Sequence, residues 1–163
     1  YIIHVHHAYL KSSMPALQLA IETFAAGHEK QYPYISRVYE AFKKLATVLN
    51  EQMLLEEVLL FPYIRQVSQA AKRTESYGPL FVRTLQKPIG ATTEKWQAQT
   101  VLLLVDLRTA ANQYAFPEKA CTNHQVIYHK LAHFDADLVR HKYLEHNFLY
   151  PNAAQLELEL LQL

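Results

Sequence analysis

Two pairs of polar residues with metal-binding potential recur at matching positions in this 163-residue sequence. Glu56 follows Gln52 by four positions, and Glu145 follows His141 in the same way. Residues at positions i and i+4 share one face of a helix, so each pair can point at a common centre. Carboxylates and imidazoles that project inward from the helices of a bundle are how such folds bind iron or manganese. The pattern predicts a metal site.

The two glutamates interrupt stripes of apolar residues that recur every three or four positions. The stripes are Val38, Phe42, Leu45, Leu49, Gln52, Glu56 and Leu60 in one segment, and Ile127, Leu131, Phe134, Leu138, His141, Glu145 and Phe148 in the other. An unpaired carboxylate on such a buried face would lose several kcal/mol of solvation or take up a proton. The stripes therefore require a group that compensates both charges.

The chain also carries an internal repeat. Glu56 is followed six residues later by Pro62, and Glu145 is followed six residues later by Pro151, with an offset of 89 residues between the copies (56 to 145). His7 precedes the first pair and Lys95 the second, at nearly equal distances. The sequence therefore indicates two pseudo-repeated helical hairpins.

Four amphipathic helices must position these residues. We expect the first from Ile3 to about Gly27, with Pro15 either kinking it or restarting it after Ser12 and Ser13. We expect the second from Pro33 to Phe61-Pro62, the third from about Pro88 to Asn112, and the fourth from about Thr122 until Pro151 stops it. Residues 72–88 are predicted to be a connection with an apolar anchor at Leu80–Val82, and residues 152–163 a short helix or frayed tail. The predicted fold is all-α, an up-down-up-down four-helix bundle in a single domain spanning 1–163. An all-α solenoid is the less favoured competitor.

Composition excludes several classes of protein. Three glycines are too few for a sheet rich in tight turns or for a phosphate-binding loop. The sequence has sixteen basic and fifteen acidic residues, and no run of like charge is longer than a pair such as Lys72-Arg73. This balance argues against binding to nucleic acid or an anionic membrane. No apolar run is long enough to span a bilayer. The single Cys121 fits a reducing, cytoplasmic location. Because the chain begins at Tyr1, we expect a fragment or a processed product.

Several segments together resemble the hemerythrin-like HHE domain, and most closely the di-iron family that repairs iron centres. These segments are HHAYL with His7, GHEKQYP with His28, EEVLLFPYI with Glu56, PIGATTEKW, and PEKAC followed by HKYLEHNFLYP with His141 and Glu145. The resemblance covers nearly the whole chain. It implies a non-haem iron protein that restores iron-sulfur clusters damaged by nitric oxide or oxidants. Members of this kind carry a further small cysteine-bearing domain at the N-terminal side.

The resemblance also implies a ligand set and a departure from it. It implies His7, Glu56, His141 and Glu145 as metal ligands, with His28 in reserve because 21 residues of continuous helix would place it about 31 Å from His7. Two further ligand histidines of the family are replaced by Gln52 and Lys95. We therefore expect one metal ion instead of two, with the Lys95 ammonium offsetting the carboxylates where the second ion would sit. The other histidines are expected to be surface or outer groups, and Tyr150 a rim aromatic.

Two functional hypotheses follow. The first is an iron-binding protein related to the repair family, with dioxygen or nitric oxide at an open coordination position and iron-sulfur proteins as partners. The second is a metal-free bundle that serves as a binding or regulatory module, with the polar residues and Lys95 closed into a network. A classical hydrolase or transferase has little support. The sequence has no glycine-flanked nucleophile, and it indicates no general base that would activate the Cys121 thiol.

Overall fold

The computed structural model describes residues 1–73, 82 and 89–162, and within these it is all-α with no strand. In chain order, the elements are a π-helical turn Ile3–His7, α1 (Ala8–His28), α2 (Ile35–Leu55), a second π turn Glu56–Leu60, α3 (Phe61–Arg73), α4 (Ile89–Ala110), a 3₁₀ turn Asn112–Tyr114, α5 (Thr122–Leu144), a third π turn Glu145–Leu149, and α6 (Tyr150–Gln162). Each π turn runs directly into the α-helices beside it, so four long helices result. The prediction of an all-α four-helix bundle is confirmed.

Pro15 does not restart the first helix, which was one of the two outcomes that the sequence predicted. α1 runs from Ala8 to His28 without interruption. The hydroxyl of Ser12 donates to the carbonyl of Tyr9 at 2.9 Å, so it bonds back into the same helix instead of capping a new one. Pro15 itself is exposed, on the side where water can reach the carbonyl that its missing N–H leaves without a helical partner.

Pro62 and Pro151 do not end their helices either, and the expected stop at Pro151 is wrong. Each follows a π turn. The backbone amide of Phe61 donates to the backbone carbonyl of Glu56, and the amide of Tyr150 donates to the carbonyl of Glu145, in each case five residues back. The extra residue in such a turn displaces the carbonyl against which a proline ring would otherwise clash. The helix therefore continues through the proline, and the predicted tail is the helix α6 with Ala153, Glu157 and Leu160 buried.

The chain divides into two compact units, residues 1–51 with 99–141 and residues 52–98 with 142–163. The core of the first unit is formed by apolar stripes of its helices, and it includes an edge-to-face pair between Phe42 and Phe134 with ring centroids 5.3 Å apart. The buried core of the second unit contains Leu60, Tyr63, Val67, Ala70, Val82, Ile89, Tyr150, Ala153 and Leu160. The stripes read from the sequence supply much of the core of the first unit, but of these nine residues in the second unit they contain only Leu60.

The N-terminus of α4 is anchored in the second unit by a buried carboxylate. The hydroxyl of Tyr63 donates to Glu157, and the amide of Ile89 donates to the other oxygen of that carboxylate at 3.4 Å. Glu157 thus satisfies one of the free amides at the start of α4. The predicted connection 72–88 lies largely outside the described residues, apart from the end of α3 and the buried Val82.

His124, expected to be a surface or outer group, is buried in the core of the first unit. Its side chain is 0% exposed and lies among aromatic rings, with Tyr128 at 4.5 Å and Tyr32 at 4.7 Å between ring centroids. Within the described part of the chain, neither ring nitrogen has a hydrogen-bond partner. Burial, and then the charge of His28, lowers the pKa of His124.

None of the helices that the structure describes combines the length and apolar character needed to cross a membrane.

Candidate metal centre

Two of the predicted ligands, His7 and His141, face each other. His7 is the last residue of the first π turn and His141 lies near the end of α5, and both are 0% exposed. Their ring centroids are 5.0 Å apart in an edge-to-face arrangement. The ring of His6 stacks parallel to that of His141 with centroids 5.4 Å apart, and Nδ1 of His6 lies 3.3 Å from Oδ2 of Asp137. His6 and Asp137 therefore help to hold the His141 ring in position.

The two predicted carboxylate ligands share one ammonium group. Glu56 and Glu145 are each the first residue of a π turn and are both 0% exposed. Nζ of Lys142 donates to Oε2 of Glu145 at 2.8 Å and to Oε1 of Glu56 at 3.4 Å. The hydroxyl of Tyr150 donates to Oε1 of Glu56 at 2.9 Å. These donors supply part of the compensation that two buried carboxylates require.

The protonation states of the two donors follow from their surroundings. Burial by itself would lower the pKa of Lys142, but the charges of Glu145 and Glu56 outweigh burial and raise the pKa. The Lys142 amine is therefore an ammonium at neutral pH. Burial, followed by the two carboxylates, raises the pKa of Tyr150 far above its ordinary value. Its hydroxyl consequently stays protonated and acts as a donor.

His7, Glu56, His141 and Glu145 together form a group that could hold a metal ion. Each offers one ligand atom, and these four atoms all lie within 4.8 Å of one another. Two imidazoles and two carboxylates suit iron, manganese or zinc, and on iron they leave coordination positions open. The donor set therefore fits the non-haem iron that the sequence resemblance implies.

Three of the four residues belong to π turns, which are rare in proteins and occur frequently at functional sites. Glu56 and Glu145 occupy the same place in their turns. The internal repeat seen in the sequence is thus repeated in the local backbone.

His28 is not brought into this group. It ends α1, where its Nδ1 lies 3.1 Å from the carbonyl oxygen of Phe24 and its ring stacks on that of Phe24 with centroids 4.2 Å apart. α1 continues to His28, so no break at Gly27 turns this residue back toward His7.

Lys95 is not the residue that offsets the carboxylates, and that expectation is wrong. Lys95 is exposed, because the buried face of α4 passes through Thr93 and Thr100 instead. The lysine in contact with Glu56 and Glu145 is Lys142.

The internal repeat shows why Lys95 was assigned to the position that corresponds to His7. The 89-residue offset that relates Gln52 to His141 carries His7 to Trp96, one residue beyond Lys95. In the structure, Nε2 of the buried Gln52 donates to the carbonyl oxygen of Trp96 at 3.3 Å. Strict use of the offset would have assigned the second-repeat position to Trp96.

Sequence reasoning also missed Lys142 and Tyr150 as members of this region, whereas His6, expected to be a surface or outer group, stacks on the His141 ring. Lys142 precedes Glu145 by three residues, a helical spacing that brings side chains together and that could have identified it. Tyr150 was expected at the rim, yet its side chain is only 4% exposed. No local signal in the sequence distinguishes Tyr150 or His6 from a surface residue.

Comparison with known proteins gives one consistent relationship. No protein-family model matches the chain. The chain is 26% identical over 153 residues to the iron-sulfur cluster repair protein YtfE of Yersinia pseudotuberculosis serotype IB (strain PB1/+), and 26% identical to that of Musicola paradisiaca (strain Ech703). It is 28% identical over 157 residues to YtfE of Escherichia coli O157:H7. Each match covers 94% of this chain and 63% of the relative, so the chain spans less than two thirds of these relatives. Over most of its own length, the chain is therefore similar to iron-sulfur cluster repair proteins.

Proposed function

We propose that residues 1–163 form a hemerythrin-like bundle that binds non-haem iron and acts in the repair of iron-sulfur clusters. The observation that carries the proposal is the buried group of His7, Glu56, His141 and Glu145, with its four ligand atoms within 4.8 Å of one another. The similarity to iron-sulfur cluster repair proteins over 94% of the chain supports iron as the metal. Repair of damaged iron centres would make iron-sulfur proteins its partners.

The site is proposed to hold one ion. The positions related by the repeat to His141 and His7 are occupied by Gln52 and Trp96. A carboxamide is a weak ligand, and an indole N–H is a donor only. Two imidazoles and two carboxylates are enough for one iron but leave a second ion without a histidine.

When bound, iron would supply a redox-active centre with open positions for dioxygen or nitric oxide, which suits a response to nitrosative or oxidative damage. The chain's own residues orient the ligands. The hydroxyl of Tyr150 holds Glu56, and stacking by His6 holds the His141 ring. Burial of all four ligands excludes bulk water from them. The exposed thiol of Cys121 suits the reducing environment of the cytoplasm, where we propose that the protein acts.

Metal analysis tests this function directly. Protein expressed with added iron is expected to contain about one iron per chain, and its absorption spectrum in air should change after exposure to nitric oxide. The variant His7→Ala should lose the iron. His4→Ala is the matched control, because His4 lies in the same π turn but is exposed. Two irons per chain would contradict the single-ion site.

The contacts of Lys142 favour one alternative function. With Tyr150, this lysine already partners both carboxylates, as a closed polar network in a metal-free binding or regulatory module would require. Iron-free protein with no spectral response to nitric oxide would contradict the iron site and favour the metal-free module.

A further inference from the structure

We propose that Lys142 is a built-in counter-cation that competes with the metal ion for Glu56 and Glu145, and so sets the affinity of the site. This inference rests on the proposed function, because it concerns the same carboxylates. In the metal-free protein the ammonium group neutralises part of their charge, and it withdraws when a metal ion is bound.

The contacts of Lys142 place a positive charge where a metal ion would need the carboxylates. Its Nζ contacts one oxygen of each glutamate, at 2.8 Å for Glu145 and 3.4 Å for Glu56. Tyr150 contributes a neutral hydroxyl, and Lys95 is exposed.

The charge balance makes the two cations mutually exclusive. Two carboxylates carry two negative charges, which one ammonium group only half offsets. A divalent ion bound by both carboxylates neutralises them completely, and an ammonium group still in place would then repel the ion at close range. Metal binding is therefore coupled to the loss of both Lys142 contacts.

The side chain of Lys142 is able to leave. It is 13% exposed, whereas those of Glu56 and Glu145 are 1% and 0% exposed. A lysine has a flexible four-carbon stem, so its ammonium group can turn toward water while the stem stays packed and α5 stays in place. The hydroxyl of Tyr150 does not depend on Lys142 and continues to hold Glu56.

Two variants of the full chain test the competition. Lys142→Met removes the charge and keeps an unbranched side chain. Lys142→Gln keeps a hydrogen-bond donor without the charge. The glutamine variant gives a second measurement if the methionine variant does not fold. Ferrous iron is titrated anaerobically against a competing chelator, and melting temperatures are recorded with and without the ion. Both variants should bind ferrous iron at least about tenfold more tightly than the wild type. Without metal, Lys142→Met should melt at a lower temperature than the wild type, because both carboxylates lose their cation.

Lys142→Arg, which retains the charge, should retain the wild-type affinity and confirms that charge is the cause. Lys130→Met is the matched control, since Lys130 is exposed on the same helix, and it should change neither quantity. Equal iron affinity in the wild type and in both uncharged variants would overturn the competition while leaving the iron site intact. Absence of iron binding in all of these proteins would overturn the proposed function together with this inference.

Discussion

At the residue scale, the chemistry of the site is determined by how two buried carboxylates are compensated. Glu56 and Glu145 are excluded from water, and in the structure Lys142 and Tyr150 donate to them. A buried charge costs several kcal/mol when a partner is removed, so each donor has a measurable effect on stability. The carboxylate pair thus connects the proposed metal site with the stability of the fold.

The hydroxyl of Tyr150 is the simplest of these contacts to test. Tyr150→Phe removes the donor that lies 2.9 Å from Oε1 of Glu56 and leaves the ring. We expect the free energy of unfolding of the metal-free protein to fall by about 1–3 kcal/mol, as for other hydrogen bonds to buried charges. Urea denaturation measures this change in the free energy of unfolding. Tyr143→Phe, at an exposed tyrosine of the neighbouring helix, is the control and should change stability by less than about 0.5 kcal/mol.

The lowered pKa of His124 predicts that the stability of the protein depends on pH. Its pKa is lowered in the folded protein, so the unfolded chain takes up the proton first as pH falls. The stability that neutral His124 contributes is therefore complete above its unfolded pKa of about 6.5 and is lost progressively below that value.

The variant His124→Phe isolates this contribution. Between pH 7 and pH 5, its free energy of unfolding in urea should fall less than that of the wild type, because other titrating groups are common to both proteins. His129→Phe, at an exposed histidine of the same helix, should keep the wild-type pH dependence. Identical slopes for His124→Phe and the wild type would show that protonation of His124 is not linked to unfolding.

At the scale of elements, the π turns explain how the ligand-bearing helices accommodate proline. Glu56 and Glu145 begin turns that are each followed by a proline, and the helix continues in both cases. The sequence motif therefore marks a change in helical hydrogen bonding, where we predicted the end of a helix. A wide turn also rotates the residues that follow it relative to those that precede it.

The connection between α4 and α5 is the strained element. Asn112, Gln113 and Tyr114 all have positive φ, at 48°, 53° and 63°. Asp135 holds this connection, because it accepts hydrogen bonds from Arg108 at 2.6 and 2.7 Å and from the Tyr114 hydroxyl at 2.6 Å. A charged anchor thus offsets the cost of a left-handed backbone in residues other than glycine.

Gln113→Gly should relieve part of that cost. Glycine adopts φ near 53° without strain, so we expect the free energy of unfolding to rise by about 0.5–1 kcal/mol in urea denaturation. The same change at Gln99, an exposed position inside α4, should lower it by about 1 kcal/mol. If both glycine variants destabilise the protein equally, the left-handed backbone at Gln113 carries no relievable strain.

At the scale of the whole molecule, the proposed metal binding would be linked to folding, because the four candidate ligands come from three segments far apart in the sequence. An ion that binds only the folded chain stabilises it by about 2.7 kcal/mol at a concentration of one hundred times its Kd. For a domain of this size, we expect the melting temperature to rise by about 5–10 °C when ferrous iron is added. Differential scanning calorimetry measures the rise, and a chelator should reverse it.

His141→Ala supplies the contrast for that measurement. Without this ligand the iron-dependent rise should disappear, while His133→Ala, at an exposed histidine of the same helix, should keep it. An equal rise in both variants would show that iron stabilises the chain at some other place.

Periodicity in the sequence predicted the helices and the buried positions of Glu56 and Glu145, whereas the full candidate ligand set came from the family resemblance. A residue's neighbours at i+3 and i+4 are fixed by helix geometry alone, so the stripes through Glu56 and Glu145 identify buried carboxylates before any tertiary contact is known. The same rule placed the start of α5 at Thr122 and the end of α4 close to Ala110.

Only the tertiary structure decided which groups surround those carboxylates. Whether Lys95 reaches them depends on the rotation of α4 about its axis, and packing over long sequence separations sets this rotation, as in the contact of Gln52 with Trp96. Lys142 lies on α5 and contacts Glu56 across a sequence separation of 86 residues. Burial of Tyr150 and His124 depends on the same packing. Helical period is a local property of the chain, whereas the choice of partner for a buried charge is a property of the folded molecule.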